Sequence, residues 1–326
     1  GAAIANYAEA LALTKDASGA VTGARVRCVL SGTERTLSAR VTINAAGPWA
    51  DMVMALAQDG PPSHRLVRAK GIHLITRKLT EDGALAMFVG NGHFFVLPWR
   101  GHTIIGTTDD VDEGRPDDVA PNQGDIAKML EAVNTGLPSA KLTSSDVIHA
   151  YAGVRPLVDE SAPGDKGGSY KKSRKAEIID HAEDGQQGLL SALGGKWTTS
   201  RHVAAQAVDM AERKLGRKPR RAATDRTPLG GQSIGNFKAY VARMTAAHRR
   251  IDPAVVANLV RNYGVAAGEV IAEAKGDAHL LAPLSEALPD CGAEILYAAR
   301  REMAFTLGDA VFRRTGIGTL GHPGEA

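Results

Sequence analysis

Leu190-Ser-Ala-Leu-Gly-Gly-Lys-Trp-Thr-Thr199 is the stretch whose reading decides the fold of this chain. Apolar residues run into two glycines, and beyond them Val203, Ala207 and Met210 recur at helical spacing. The pattern predicts a buried strand, a tight turn and an amphipathic helix. Bare N–H groups at such a helix start attract negative charge, and Gly194 and Gly195 let a flat ligand approach the main chain. Lys196 adds a mobile cation at the same place. A Gly-Gly-Lys turn alone has little specificity, so its companions matter: Asn44-Ala-Ala-Gly-Pro-Trp49 upstream, and Gly153-Val-Arg-Pro-Leu157 between the two.

Outward from that stretch, residues 41–44 predict a short buried strand that ends at Ala45, Ala46 and Gly47, with Pro48 as the first residue of the next helix. Strand, small-residue turn and helix form the geometry by which α/β sheets bind ligands at strand carboxyl ends. Residues 1–13 read as a strand, 16–20 as a turn, and 21–30 with 35–39 as paired strands. Between residues 65 and 108 the pattern alternates, with strands expected at Leu66–Thr76, Leu85–Val89, 93–99 and 103–107. Asn91-Gly92 is a hairpin signal, because a type I′ loop needs positive φ at both positions. An antiparallel sheet that covers a substrate is the expected result.

Residues 121–134 read as a helix, and 146–151 are expected to carry the chain back to the first domain. After Lys214 comes a basic linker. The section from 230 to 326 is expected to be mostly helical, with Asp252-Pro253 starting a helix that Gly264 stops, and Thr306-Leu-Gly-Asp309 spaced as a capping box.

With 326 residues the chain has room for two or three domains and a substantial core. A net charge of +3 with 23% charged residues gives no case for bulk nucleic-acid binding. Cys28 and Cys291 lie far apart without metal-ligand spacing, which fits packing residues in a reducing compartment. No apolar run approaches the roughly 20 residues of a membrane span. The ten histidines show no His-x-x-x-His pair, so no metal site is expected. No Gly-x-Ser-x-Gly elbow suggests a serine hydrolase.

Taken in order, the motifs resemble the FAD-dependent glycerol-3-phosphate dehydrogenases, in the wider group of glycine-oxidase-like and D-amino-acid-oxidase-like flavoproteins. The stretches that carry the resemblance are Asn44-Ala-Ala-Gly-Pro-Trp-Ala-Asp51, Lys70-Gly-Ile-His73, Val96-Leu-Pro-Trp99 with Ile105-Gly-Thr-Thr-Asp109, Tyr151-Ala-Gly-Val-Arg-Pro-Leu157, Ser173-Arg174 and Gly194-Gly-Lys-Trp-Thr-Thr199. Tyr240-Val-Ala-Arg-Met244, Asn262-Tyr-Gly264 and Phe312-Arg-Arg-Thr315 extend it through the tail. The family's Gly-x-Gly-x-x-Gly turn has no counterpart here, and residues 1–12 resemble a later strand beside the adenine. The chain is therefore expected to be an N-terminally truncated fragment that binds FAD weakly or not at all, while its parent is the enzyme.

The resemblance implies a mixed α/β and α+β fold in three parts. Residues 1–62 and 146–222 would be the remainder of a Rossmann-like FAD-binding domain, 63–145 an antiparallel-sheet substrate (cap) domain, and 223–326 a C-terminal helical domain. The implied reaction is oxidation of sn-glycerol 3-phosphate to dihydroxyacetone phosphate, with the C2 hydride passing to flavin N5 and electrons on to a quinone. Arg155 and Arg174 are the implied phosphate ligands, since a guanidinium fork matches two phosphate oxygens. The bland alternatives are a surface pair of Arg155 with a carboxylate such as Asp159, and a solvated charge run around Arg174. His73 is the candidate base, against a hydrogen-bonded core histidine.

Lys196 with Gly194, Gly195, Trp197 and Thr198 would face the flavin N1–C2=O edge and stabilise its reduced anion. The rival reading is a solvated lysine on a plain turn. Ala45, Ala46, Gly47 and Trp49 would approach the adenosine and pyrophosphate, with core packing an equal alternative for Trp49, and Leu11 would lie near the adenine. The cations Arg155, Arg174 and Lys196 are expected to gather around one cavity. Partners implied are glycerol 3-phosphate, a quinone and a second copy in a homodimer, with no nucleic acid. The cations of residues 213–221 would touch anionic lipid or form a solvated linker, and the expected location is the inner face of the cytoplasmic membrane, peripherally bound. A related flavin amine or amino-acid oxidase, and a non-catalytic domain without flavin, are the competing readings.

Overall fold

Alternation of apolar and polar residues sets the strands of the first half of the chain. The computed structural model describes residues 2–57, 66–81, 83–90, 92–158, 176–285 and 288–320. They fall into two units, Gly1–Asp225 and Arg226–Ala326. In the first, β1 (Ala8–Lys15), β2 (Val21–Cys28) and β3 (Glu34–Ser38) form an antiparallel meander. The first strand starts at Ala8, later than its composition suggested. Asp16 makes the first turn, its carboxylate accepting from the Ser18 N–H at 2.8 Å.

β4 (Thr42–Asn44) leads into a 3-10 turn at Gly47–Trp49, with Pro48 inside its first turn, and then into α1 (Ala50–Ala55). The expected helix start is thus a tighter turn first. Five strands follow: β5 (Leu66–Thr76), β6 (Leu85–Val89), β7 (Gly92–Trp99), β8 (His102–Gly106) and β9 (Asp110–Asp112). β6 and β7 pair as the hairpin that Asn91-Gly92 signalled, closing at Val89 opposite Gly92; Asn91 itself lies outside the described residues. α2 (Gln123–Gly136) begins at Asn122, because Asn122 and Asp125 cap each other's backbone at 3.0 and 2.9 Å.

The stretch expected to carry the chain back is the start of one long strand. β10 (Val147–Val158) pairs antiparallel with the whole of β5, from Val147 opposite Thr76 to Val158 opposite Leu66, and its far end reaches the Gly47–Trp49 turn and β12. The sheet order is β10-β5-β8-β7-β6, with β9 also on β5. One face buries Ile72, Leu74, Phe94, Val96 and Ile105 against Met129, Leu130 and Val133 of α2. Lys70 reaches across to Asp125 at 2.7 Å, both side chains nearly buried.

β11 (Glu177–Asp180) and β12 (Leu189–Leu193) form a hairpin, and α3 (Ser200–Lys214) follows. β12 also pairs parallel with β4, Leu190 opposite Ile43 and Ser191 opposite Asn44. Ala50, Met54, Leu66 and Leu193 pack together beneath this pair.

The second unit is helical: α4 (Phe237–Ala247), α5 (Pro253–Tyr263) and α6 (Ala267–Glu273), a short hairpin of β13 (Pro283–Ser285) and β14 (Leu288–Cys291), then α7 (Gly292–Arg301) and α8 (Leu307–Asp309). Asp252 caps α5 through Ala254 N at 2.7 Å and Gly264 ends it at φ +57°, as the sequence indicated. Thr306 and Asp309 form the expected capping box. Val255, Leu259, Val260, Val270 and Cys291 form its core, where burial pushes the Cys291 thiol up to about 11. Buried Glu294 accepts from Cys291 N at 2.9 Å and from Asn262 Nδ2 at 3.2 Å. Cys28 and Cys291 are both free thiols, in different units. Among the described residues no helix is long and apolar enough to cross a membrane.

Candidate active site

The parallel register of β4 and β12 brings two distant turns to one end of a sheet. Pairing of Asn44 with Ser191 leaves Ala45–Gly47 and Gly194–Thr198 as neighbouring exits from adjacent strands. Gly194 (φ +64°) and Gly195 (φ +85°) adopt backbone that side-chain-bearing residues rarely hold, which turns the chain sharply out of β12. A Cβ on Gly47 would meet open space. The helix starts beyond both turns carry no side-chain cap on Ala46, Trp49 or Thr199. Asn44 Oδ1 takes the Ala46 N–H at 3.2 Å and Thr199 Oγ1 the Lys196 N–H at 3.3 Å. Helix starts at the carboxyl ends of parallel strands suit the phosphates of an anionic nucleotide, and Lys196 is exposed beside them. The residues present therefore fit a dinucleotide cofactor.

The expected contacts of this cradle occupy graded positions. Leu11 is half-buried in β1, Ala45 is exposed, and Ala46 and Gly47 are partly covered. Trp49 is half-exposed and donates its indole N–H to Asp117 Oδ1 at 3.1 Å. Trp197 is 91% exposed and Thr198 is exposed. Arg68 joins β5 to the first turn, donating to Asp51 Oδ1 at 2.6 Å and to Pro48 O at 3.1 Å. The far end of β10 lies against the same turn and against β12. Cradle and antiparallel sheet are thereby one construction within the first unit.

The sheet face opposite α2 carries His73. Cross-strand register sets Tyr151, His73, Gly106 and Phe95 in one row and His149, Ile75, Ile104 and Leu97 in the next. Tyr151 stacks on His73 with centroids 5.1 Å apart and planes 10° from parallel. Gly106 is where the imidazole crosses β8: a Cβ there would lie 2.2 Å from His73 Cδ2. Burial, and secondarily the Arg155 charge, lowers the His73 pKa below 6.5, so the ring is neutral at neutral pH. Tyr151 is pushed above its usual value by burial.

Arg155 lies on β10 and points at the strand end after β8. Its Nη1 donates to Asp109 Oδ1 at 3.1 Å and its Nη2 to Thr107 Oγ1 at 2.9 Å, and both reach Thr108 O, at 3.2 and 3.1 Å. Asp109, its side chain 5% exposed, is thus a partner carboxylate of Arg155; Asp159 lies outside the described residues. The fork expected to grip a phosphate is occupied by protein acceptors. Arg174 also lies outside the described residues. The cavity of about 570 Å³ between β11 and α3 is lined by Glu177, Gln206, Asp209 and Arg213, and one of about 200 Å³ behind β7 by His93, Asp109 and Lys128. Neither includes Arg155 or Lys196.

Sequence reasoning passed over Asp109 as the partner of Arg155, Tyr151 as the stacking partner of His73, and Ser191 and His181 beneath the two turns. No local pattern marks the first two, because their partners lie on other strands. Ser191 stands inside the decisive stretch, but its Oγ bond at 2.8 Å to His181 Nε2 joins the two strands of a hairpin.

Fold and site together define a flavin-type dinucleotide oxidoreductase scaffold with a helical appendage. The profile of the FAD dependent oxidoreductases matches residues 1–201, and the chain belongs to that family. Residues 222–326 match the C-terminal domain of alpha-glycerophosphate oxidase. A glycerol-3-phosphate dehydrogenase of Synechocystis sp. is 33% identical over 97% of this chain and 59% of its own length. Glycerol-3-phosphate dehydrogenase 2 of Mycobacterium bovis is 32% identical over 91% of this chain and 49% of its own length. The structure of the Bacillus halodurans glycerol-3-phosphate dehydrogenase complexed with FAD superposes with a TM-score of 0.80 at 26% identity, covering 97% of this chain and 61% of that one. The chain thus spans between about half and three fifths of the relatives it matches.

Proposed function

We propose that the protein to which this chain belongs oxidises sn-glycerol 3-phosphate at C2 to dihydroxyacetone phosphate, with FAD as cofactor. The observation that carries the reading is the β4–β12 register, which gathers two glycine-containing turns, each leading into a helix, at one sheet end of the unit whose antiparallel sheet bears a neutral histidine. The names of the relatives supply the substrate.

Ala45, Ala46, Gly47 and Trp49 would hold the adenosine and pyrophosphate, and Gly194, Gly195, Lys196, Trp197 and Thr198 the ring system. Bound FAD supplies the two-electron acceptor for the C2 hydride. Lys196 and the α3 start present fixed positive potential where charge builds during reduction. Neutral His73 takes the C2 hydroxyl proton on a ring nitrogen, held in line by the Tyr151 stack. Arg155 acts as a fixed cation: its charge draws the phosphate dianion and keeps His73 unprotonated, while its fork stays on Thr107, Thr108 and Asp109. Arg174 completes the charge complement.

A quinone is the proposed final acceptor, reached at a membrane surface. Arg213 in the last turn of α3 and Arg217, Lys218, Arg220 and Arg221 in the linker after it are exposed and suit anionic lipid headgroups, although Arg221 also meets Asp225 at 3.4 Å. The test is anaerobic addition of sn-glycerol 3-phosphate to FAD-loaded protein. Bleaching of the yellow flavin band with formation of one dihydroxyacetone phosphate per flavin is expected. Bleaching by an amino acid and not by the phosphate would overturn the substrate assignment.

A further inference from the structure

Beneath the two turns runs a chain of polar side chains that no step above uses, three of them buried and the last, Asp184, exposed. Asn44 Nδ2 donates to Ser191 Oγ at 3.2 Å and to Ala50 O at 2.8 Å. Asn44 Oδ1 accepts from Ala46 N at 3.2 Å, which fixes which end of the amide is oxygen. Ser191 Oγ lies 2.8 Å from His181 Nε2, and His181 Nδ1 lies 2.9 Å from Asp184 Oδ2. Ser191 is 0% exposed and His181 2%.

Ser191 Oγ accepts a hydrogen bond from Asn44, and with its hydroxyl directed at His181 Nε2 the ring proton stands on Nδ1, facing the Asp184 carboxylate. A serine, histidine and aspartate in this order resemble a hydrolytic triad, but no substrate reaches a serine with no accessible surface. Its reach is structural: Asn44 holds the first turn at Ala46 and at the start of α1, and Ser191 sits three residues before Gly194.

The geometry points to this chain of side chains as the positioning device of the cofactor cradle. Asn44, Ser191, His181 and Asp184 are positioning residues that lock the turn after β4 to the turn after β12, so that both helix starts face one ligand. The inference rests on the cradle reading above, but its first readout does not. Two strands paired over three residues leave their exits free to splay, and a directional side-chain tie at the last pair removes that freedom.

The experiment compares hydrogen exchange in the cofactor-free chain with its Ser191→Ala and Asn44→Asp variants. Ser191→Ala removes the hydroxyl that joins Asn44 Nδ2 to His181 Nε2. Asn44→Asp keeps the acceptor for Ala46 N, loses the donations to Ser191 and Ala50 O and adds a buried carboxyl group. Removing a buried hydrogen-bond partner shifts local opening about tenfold or more, so amides at 45–50 and 194–200 are expected to exchange about tenfold faster in both variants. The β5–β10 ladder should exchange as before. Unchanged turns, acceleration spread equally through that ladder, or loss of folding in both variants would overturn the inference. A second readout is FAD affinity by flavin fluorescence, expected to weaken about tenfold or more with each variant. If the unaltered chain takes up no FAD, the cradle reading fails while the exchange result still judges the tie.

Discussion

Gly106→Ala tests how His73 is placed. The added methyl would sit 2.2 Å from Cδ2, 2.7 Å from Cγ and 2.8 Å from Nε2 of the imidazole. Ordinary carbon contact needs about 3.5 Å, so the ring must retreat by roughly 1.3 Å. Tyr151 stacks on the ring from the neighbouring strand, so that retreat also disturbs the stack. Overpacking of this kind costs about 1–3 kcal/mol, and a reacting group displaced by about 1 Å loses roughly 100-fold in rate. The assay is a double-mutant cycle with His73→Ala, followed by calorimetric unfolding. Gly106→Ala should destabilise the native background by that amount and cost little once the ring is gone. An equal cost in both backgrounds would refute the argument that Gly106 exists to admit His73.

Further outcomes follow from the charges. In a proton-NMR titration His73 should have its midpoint below 6.5, and Arg155→Gln should move it upward by removing the secondary cationic cause; a native midpoint at or above 6.5 would contradict the assignment. Because that folded value is depressed, the imidazole costs stability as pH falls from 6.5 towards it. Asp109→Ala strips a charged hydrogen bond from Arg155, whose side chain is 30% exposed, and should cost about 1.5–3 kcal/mol by urea unfolding, discounted toward the lower figure because Thr107 and Thr108 remain as acceptors. Burial alone would raise Asp125, but Lys70 and Asn122 outweigh it and hold its pKa below 3.8. The stability it contributes is present above 3.8 and lost as pH falls through the lower folded value, and Lys70→Met should shrink that acid transition.

Legibility in the sequence followed locality. The ends of α5 were visible because Asp252, Pro253 and Gly264 each act on adjacent backbone. The β6–β7 hairpin was visible for the same reason. Pairing of β10 with β5 was not, since Gly153 through Leu157 read as a turn-rich motif yet continue a twelve-residue strand. The two cradle turns were each legible. Their meeting depends on a parallel pair whose members, Asn44 and Ser191, stand 147 residues apart. The partner of Arg155 lies 46 residues upstream, in the link between β8 and β9, and charge alone offered several candidates.

The central claim is that the exits of β4 and β12 form one FAD cradle facing His73. A crystal structure of the protein with FAD tests it most directly. The account predicts the pyrophosphate at the backbone of Ala45–Gly47, the flavin N1–C2=O edge at Lys196–Thr198, and the His73 face turned to the ring. Density for FAD at any other surface, or a ring with its back to the β5–β10 sheet, would contradict it.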